Sequence, residues 1–515
     1  MSEHATNLRP CAPGVERRGI LAAMNEPIAT ALLLSLAGLL LAGSVLSTRA
    51  SERTGVPAVL VFLAVGMLAG EDGLLGIQFN DYGLAFRAGT IALVLILFDG
   101  GLNTPLPKVR PFWGAAITLA TGGVLMTAAI IAGSARLLGL PWELAMLLGA
   151  IVSSTDAAAI FSVLRGGGVT VQHKVAATLE LESGLNDPLA VLLTLALTVA
   201  IGAGGTELSW VSLAGHGMLE LLVGTTVGWL AGRGAVAVLR RLRLRATGLY
   251  PALTLALALF TYGLATLLGG SGYLAAYVAA LIVGNADLPY RASLARVHDA
   301  LAWLSQIVMF LLLGLLVSPQ RIAEVAVLGL AVAFVLVFVA RPVSVAVLLA
   351  PFRYTARQTM GVSWAGLRGA VPIILATYPV LRGLDGAEEL FDLTFFVVVV
   401  SALVCGGTIP WVMRKLELES DEPPPPPAVL EIISTQPLTG LLLSFHVQEA
   451  LDVTGVPLRD IPFPEGTAIT LILRDDTIIV PKGNTVLVAG DHVYVATVPA
   501  DRPFVQLLFG RPEVS

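Results

Sequence analysis

The chain has 515 residues, of which 56% are hydrophobic and 13% charged, and its formal net charge is −5. Its mean hydropathy is +0.83. A water-soluble domain of this size could not bury so much apolar surface, which excludes a soluble enzyme. Runs that approach or reach the length of a membrane span recur at residues 28–47, 56–70, 112–133 and 391–404. The composition therefore predicts an all-α membrane protein with many spans, and not an enzyme.

The amino-terminal tail and the two cysteines add little to this fold. Residues 1–26 lack the apolar core of a signal peptide and are predicted to be disordered, with Met24 as an alternative start. Cys11 lies in this tail and Cys405 in an apolar run, so the pair suggests neither a disulfide framework nor a metal-ligand cluster. No resident metal or cofactor is expected.

Thirteen apolar segments are predicted to cross the membrane, centred near residues 36, 63, 94, 125, 154, 188, 228, 259, 278, 311, 334, 370 and 400. An odd number of spans places the two termini on opposite sides. Most lysines and arginines of the short loops fall on the side of the C-terminus, and the opposite loops carry only Arg87, Arg136, Arg321 and Arg382. Because basic loops stay in the cytoplasm, we expect the N-terminus outside and the C-terminus inside a bacterial inner membrane.

The composition changes abruptly after Lys415, so the membrane part is predicted to cover residues 27–416. Residues 417–428 form an acidic, proline-rich linker that should be stiff and extended. Residues 429–515 are predicted to form a small α+β cytoplasmic domain. There, "AITLILRDDTIIVP" and "NTVLVAGDHVYVATV" each predict two strands around a turn, and "FHVQEALDVTG" predicts a helix ending at Gly455.

The stretch "LESGLNDP", residues 181–188, places four polar side chains inside an otherwise apolar run. Ser183 and Asp187 are four residues apart, as are Glu182 and Asn186, so all four project from neighbouring strips of one helix side. Ionisable groups at membrane depth are costly and therefore candidates for function. Hydroxyl, amide and carboxylate oxygens are hard ligands that suit an alkali cation.

Two further segments interrupt apolar helices. "AIVSSTDAAAIF" brings Thr155 and Asp156 to the middle of the fifth span, and "SWAGLRGAVPIIL" places Arg368 among helix breakers in the twelfth. With the seventh span as a connector, the remaining spans form two six-span halves of opposite topology. Interrupted helices at matching positions of inverted halves indicate a transport site. Asp156 can then lie at half-helix N-termini and Arg368 at C-termini, where their charges oppose the helix dipoles.

A family resemblance rests on four motifs taken together. "ESGLNDP", "SSTDAAA", "FDGGLN" (residues 98–103) and "WAGLRGAVP" resemble the monovalent cation:proton antiporters, in particular the NhaP-type branch. The resemblance covers about residues 28–415. The C-terminal segment is similar to the TrkA-C domain of potassium-conductance regulators.

The resemblance implies a homodimer in the lipid bilayer, with thirteen spans of which the fifth and twelfth are unwound and cross. It assigns the exchange of cation and proton to Asp187, with Asn186 as its partner, and a structural ion pair to Glu182 and Arg368. The implied cation- and proton-binding residues are Asp187, Asn186, Ser183, Thr155, Asp156 and Asp99. It also implies a small regulatory ligand, with a nucleotide as one candidate, at the C-terminal domain, and no nucleic acid.

The transported ions are expected to be K⁺ or Na⁺ and H⁺. If Arg368 neutralises Glu182, Asp187 is the main free carboxylate, and one proton or one monovalent cation neutralises it equally. An empty, charged carrier is costly to move across the membrane, so this count favours electroneutral exchange by alternating access. An Na⁺/H⁺ antiporter with the same site, a ligand-gated potassium channel and a non-transporting sensor remain alternatives, and Asp99 is equally well explained as a helix cap.

Overall fold

The computed structural model describes residues 27–54, 57–202, 210–242, 248–288, 291–420 and 440–510, together with 244, 246 and 512 and without 450, 452 and 476. The predicted tail and most of the predicted linker lie outside these residues. Its membrane part is built of helices. The helices are α1 Ile28–Thr54, α2 Ala58–Ala69, α3 Tyr82–Asn103, α4 Leu106–Leu137, α5 Trp142–Ile151, α6 Ala157–Gly166, α7 His173–Gly202, α8 Trp210–Arg241, α9 Leu249–Leu267, α10 Gly272–Gly284, α11 Arg291–Leu315, α12 Pro319–Phe352, α13 Ala356–Trp364, α14 Ala370–Leu381 and α15 Ala387–Lys415.

Among the described residues, nine of these helices are long and apolar enough to cross a membrane. This finding confirms the prediction of a mostly helical membrane protein. The helices begin where the sequence supplies caps: the Asp81 carboxylate accepts a hydrogen bond from the Leu84 amide at the start of α3. Thr355 and Gln358 form a reciprocal capping box at the start of α13.

The helices pack as two bundles. The first contains α1–α3 and α8–α11, and the second contains α4–α7 and α12–α15. The bundles meet along a seam in which α3 and α10 of the first lie against α7 and α14 of the second. Small residues bring helices of the first bundle together: a Cβ at Gly228 would overlap the backbone of Ala275 on α10. The seam matters because α7 carries the polar stretch of residues 181–188.

Two helices of the second bundle are broken in the middle. Residues 152–156 separate α5 from α6, and residues 365–369 separate α13 from α14. The two non-helical segments touch each other, because the Asp156 amide donates to the Leu367 carbonyl at 2.9 Å. Irregular backbone at this depth is tolerated only where protein or a polar cavity satisfies its hydrogen bonds. The breaks fall where the Ser/Thr-rich and Gly/Pro-rich segments predicted them.

A small unit with four strands follows the membrane part. Its strands are β1 Leu441–His446, β2 Ala468–Arg474, β3 Thr477–Ile479 and β4 His492–Thr497, and a final helix, α16, covers Arg502–Phe509. The sheet is antiparallel in the order β1-β4-β2-β3. It packs against α16 around Phe445 and Phe509.

One of the predicted hairpins in this unit is present, and two other predictions were wrong. β2 and β3 pair around Asp475, which adopts the left-handed conformation that the turn needs. In the second predicted hairpin only β4 forms, because β1 and β2 already occupy both of its edges. None of the described residues of the predicted helix ending at Gly455 is helical, and its first residues, Phe445 and His446, belong to β1.

The first residues of the predicted linker are packed onto the membrane part. The Gln172 amide donates to the Leu418 carbonyl at 2.8 Å, and the Ser420 amide donates to the Thr170 carbonyl at 2.7 Å. The Leu418 side chain is buried. This short antiparallel pairing attaches the chain that leaves α15 to the loop between α6 and α7.

Candidate functional site

The polar stretch lies where α7 passes the two broken helices. Glu182, Asn186 and Asp187 are buried, and Ser183 is partly buried. Pro188 stays within α7, which runs unbroken from His173 to Gly202. The sequence spacing thus produced the expected polar strip on one continuous helix.

Asp156 occupies the N-terminus of the half-helix α6. Its carboxylate accepts a hydrogen bond from the Ala159 amide at 3.0 Å and so caps the helix. It also lies against Gly369, the residue before α14, where an added Cβ would overlap the Asp156 carboxylate. A negative charge therefore faces the positive ends of two half-helices, as the sequence predicted.

Ser183 and Asn186 join α7 to the first break. The Ser183 hydroxyl donates to the Thr155 carbonyl at 2.8 Å and accepts from the Ala157 amide at 3.0 Å. The Asn186 amide group donates to the Thr155 hydroxyl at 2.6 Å. These bonds satisfy backbone groups that the break releases and fix the position of Thr155 beside α7.

The Asp187 carboxylate is buried, with 6% of the residue exposed. Within the described part of the chain, Oδ1 of Asp187, Oδ1 of Asn186 and the Ser154 hydroxyl have no hydrogen bond of normal geometry. Asp156 lies close enough to Asp187 for their charges to interact, and the Ser154 hydroxyl lies within reach of a hydrogen bond to the Asp187 carboxylate. Buried polar atoms are normally paired, so this group of free oxygens is the exceptional feature of the site. It can accept a proton or a hard monovalent cation.

Arg368 lies at the other end of the first break, beside the C-terminus of α5. Its side chain is fully buried and donates from Nη1 to the carbonyls of Ser153 and Ser154, at 3.0 and 2.6 Å. These carbonyls follow the C-terminus of α5, where the helix dipole is negative. The guanidinium thus offsets the dipole of a half-helix, as predicted.

A family model described as "Sodium/hydrogen exchanger, transmembrane" matches residues 31–415, and a TrkA-C domain model matches residues 444–506. The first match covers most of the chain, including both breaks and α7. The chain belongs to the sodium/hydrogen exchanger family.

Curated relatives agree with this membership. A protein named K(+)/H(+) antiporter NhaP from Alkalimonas amylolytica is 41% identical over 469 residues, which cover 90% of this chain and 81% of the relative. A K(+)/H(+) antiporter NhaP2 from Shewanella baltica is 41% identical over 464 residues, which cover 89% of this chain and 79% of the relative. A Na(+)/H(+) antiporter NhaS2 from Synechocystis is 28% identical over 64% of this chain and 62% of the relative.

A solved structure supports the fold. The sodium proton antiporter MjNhaP1 from Methanocaldococcus jannaschii aligns with a TM-score of 0.63 at 24% identity. The alignment covers 73% of this chain and 99% of that one. The exchanger fold of the membrane part is therefore shared at a low level of sequence identity.

The predicted partner of Glu182 was wrong. In this exchanger Glu182 binds Arg341 of α12 in a bidentate pair, from Nη1 to Oε1 and from Nη2 to Oε2, the latter at 2.9 Å. Both side chains are buried. Arg368 instead bonds carbonyl groups of the fifth span. The missed signal was "VFVARPVSVAV", in which Arg341 interrupts an apolar run and is followed by a proline.

Asp99 was placed among the cation-binding residues, and the structure does not bring it to them. Its carboxylate accepts a hydrogen bond from the Asn103 side chain at 2.9 Å and lies near Asp299 of α11. Asp99 therefore lies within the first bundle, toward α11. The structure gathers the other predicted residues, Ser183, Asn186, Asp187, Thr155 and Asp156, around one crossing.

Proposed function

We propose that this exchanger moves K⁺ out of the cytoplasm in exchange for external H⁺, one for one, with Asp187 binding each ion in turn. The observation that supports this proposal is the buried Asp187 carboxylate, whose Oδ1 has no hydrogen bond of normal geometry and which lies close to the Ser154 hydroxyl. The preference for K⁺ over Na⁺ is supported by the names of the 41%-identical relatives.

The charges around the site favour electroneutral exchange. Glu182 and Arg341 cancel each other, Asp156 caps a helix N-terminus and Arg368 faces a helix C-terminus. Asp187 is then the carboxylate that most needs a counter-charge. A proton or a monovalent cation neutralises it equally, whereas the empty site leaves a buried charge that is costly to move through the membrane. This difference couples the two ions without a second exchangeable group.

We assign thirteen spans to the membrane part. The nine long helices, the shorter α2 and α10, and the two broken pairs α5–α6 and α13–α14 make up this number. Two features repeat seven spans apart: the breaks in the fifth and twelfth spans, and π-helical turns at Leu119–Gly123 of the fourth and Leu336–Ala340 of the eleventh. This repetition supports two inverted halves around the site.

The remaining assignments follow from the family and from loop charge. We place the protein in a bacterial inner membrane as a homodimer, with the basic loops and the C-terminal unit in the cytoplasm. The C-terminal unit would bind a small ligand and act on the exchanger through the segment that pairs with residues 170–172. The transporter needs no enzymatic cofactor for this cycle.

Everted membrane vesicles from a bacterial strain that lacks its own antiporters test the proposal. A pH-sensitive dye reports proton release when K⁺ or Na⁺ is added to the cytoplasmic face. We expect the wild type to respond to K⁺ and Asp187→Asn to respond to neither cation. Glu220→Gln, which changes a partly buried carboxylate on α8 of the first bundle, is the matched control and should respond as the wild type does.

The same experiment separates the alternatives. A response to Na⁺ but not to K⁺ would identify a sodium antiporter with this site. An ion channel would pass K⁺ without moving protons, and a sensor would move neither ion. Equal responses of the wild type and Asp187→Asn would refute the role of Asp187.

A further inference from the structure

Helix α7 carries one more carboxylate, Glu180, that the proposed exchange does not use. Glu180 lies seven residues before Asp187, which is close to two full helical turns. The two side chains therefore project from the same face of α7, about 10 Å apart along its axis. Glu180 lies toward the end of α7 that begins at His173, next to the basic loops.

Glu180 faces the seam between the two bundles. The Thr104 hydroxyl, at the end of α3, lies 2.8 Å from Oε1 of Glu180 and makes a hydrogen bond across the seam. The Thr104 carbonyl accepts in turn from the side chain of Asn285, which follows α10. Glu180 thus lies where α3, α7 and α10 come together, and it is only partly buried.

A tyrosine ring separates Glu180 from Asp187. Tyr277 of α10 is 1% exposed and packs on Gly184, which lies between the two carboxylates on the same face of α7. A Cβ at Gly184 would lie 2.6 Å from Cζ of Tyr277, so only glycine admits the ring there. The hydroxyl of Tyr277 has no hydrogen bond that meets normal geometry within the described residues, although Thr104 and Glu180 are near it.

The pairing of Glu180 differs from that of a structural carboxylate. Glu182, two residues later, is neutralised by an arginine, whereas the partner of Glu180 is an uncharged hydroxyl. Among the described residues, Glu180 forms no ion pair. The helix ends on this side carry Lys108, Arg110, Arg165 and Lys174, which repel a cation that approaches from that side. An unneutralised carboxylate that lies behind these basic residues attracts a cation.

We propose that Glu180 is a second cation-binding residue for transport: it holds the monovalent cation at the basic end of α7, with Tyr277 between it and Asp187. The proposal rests on the proposed function, in which this end is cytoplasmic and Asp187 is the exchange site. The cation would pass from one carboxylate to the other when the seam between α7 and α10 opens and the ring leaves Gly184. Glu180 then sets the affinity for the cation on one face of the membrane only.

The test measures the concentration of K⁺ that gives half-maximal proton release in everted vesicles, which present the cytoplasmic face. We expect Glu180→Gln to raise this concentration about tenfold, with the maximal rate within about twofold of the wild type. Glu180→Asp, which keeps the charge, should lie between the two. In right-side-out vesicles, where K⁺ meets the other face, Glu180→Gln should match the wild type.

Thr104→Val separates cation binding by Glu180 from a structural role. This variant removes the hydrogen bond across the seam but leaves the Glu180 carboxylate in place. Under the proposal its half-maximal K⁺ concentration stays within about twofold of the wild type. If Thr104→Val reproduces the defect of Glu180→Gln, or if Glu180→Gln lowers only the maximal rate or the amount of protein, Glu180 is structural and the proposal is wrong.

Asp187→Asn keeps this test independent of the proposed function. If Asp187→Asn is inactive and Glu180→Gln has the wild-type affinity on both faces, only the role of Glu180 fails. If Asp187→Asn remains active, the proposed exchange site itself fails. If Glu180→Gln does not accumulate, Glu180→Asp and Thr104→Val decide: a wild-type affinity for Glu180→Asp together with a raised half-maximal concentration for Thr104→Val contradicts the proposal.

Discussion

Glu182 and Asp187 are two carboxylates on the same helix, five residues apart, and both are buried, with exposures of 1% and 6%. Their surroundings differ. Both oxygens of Glu182 accept hydrogen bonds from Arg341. Among the described residues Asp187 has no cationic partner of this kind, and its Oδ1 makes no hydrogen bond of normal geometry.

The contrast shows that burial alone does not identify a transport carboxylate. A buried pair of opposite charges holds both groups out of exchange, because separating them leaves two uncompensated charges. A buried carboxylate with free oxygens gains from any cation or proton that reaches it. We therefore expect different outcomes when each residue of α7 loses its role. Disrupting the Glu182 pair should reduce stability, and altering Asp187 should reduce transport.

The largest expected effect is on stability, from Arg341→Met. This substitution leaves Glu182 buried without its partner, which typically costs about 3–5 kcal/mol of stability. We expect little folded protein in the membrane and a clear fall in the thermal unfolding temperature of what is extracted in detergent. Asp187→Asn should unfold at or above the wild-type temperature, because it removes a charge that has no full partner.

The double variant Glu182→Leu/Arg341→Met is the control for that effect. It removes both charges, and replacing a buried ion pair with apolar side chains is often neutral or stabilising. Most of the stability lost in Arg341→Met should therefore return. If Arg341→Met is as stable as the wild type, Glu182 is not held by this pair and the contrast with Asp187 is invalid.

The sequence could predict most of this site because the signals are local. Polar residues four apart predicted the polar strip on α7. Thr155, Asp156 and the Gly-rich stretch around Arg368 predicted the two helix breaks. Each of these rests on helix periodicity or on residues that disfavour a continuous helix. Such features depend on a few neighbouring residues and not on how the rest of the chain packs.

The partner of Glu182 could not be predicted in the same way. Arg341 and Arg368 are both buried arginines far from Glu182 in sequence, Arg341 being separated by 159 residues. The choice between them depends on how α12 packs beside α7, which no local pattern records. Tertiary packing also determined where β1 forms. Phe445 and His446 pair with β4 in the sheet, although the local pattern assigned them to a helix.

The next largest effect tests the crossing at Asp156 and is expected from Gly369→Ala. The added Cβ would overlap the Asp156 carboxylate, so the cap of α6 or the segment before α14 must move. We expect transport to fall by about tenfold or more, while the protein still folds, because the Glu182–Arg341 pair is untouched. Vesicle assays and unfolding temperatures measured on the same preparation check this.

Gly407→Ala is the matched control, since a Cβ at Gly407 meets nothing within 4 Å. It should transport at the wild-type rate. Wild-type transport by Gly369→Ala would show that Asp156 need not stay where the structure places it.

A smaller effect is expected from Ser183→Ala, which removes two hydrogen bonds from the site. The Ser183 hydroxyl donates to the Thr155 carbonyl and accepts from the Ala157 amide, so both backbone groups lose a partner. We expect a loss of stability of about 1–3 kcal/mol and a several-fold lower rate. Ser183→Thr keeps the hydroxyl and should restore part of the rate. An unchanged unfolding temperature and rate would mean that the break does not depend on α7.

The smallest effect should come from Ser154→Ala. This substitution alters the surroundings of Asp187 and leaves those of Glu182 unchanged. The Ser154 hydroxyl has no hydrogen bond of normal geometry and lies close to the Asp187 carboxylate, so its loss removes a candidate cation ligand and at most a weak bond to Asp187. We expect the half-maximal K⁺ concentration to rise about threefold, with the unfolding temperature and the maximal rate unchanged. Ser153→Ala is the control, because its hydroxyl bonds the Ala150 carbonyl within its own helix end. A fall in stability without a change in affinity would place Ser154 with Glu182, among the groups that hold the fold.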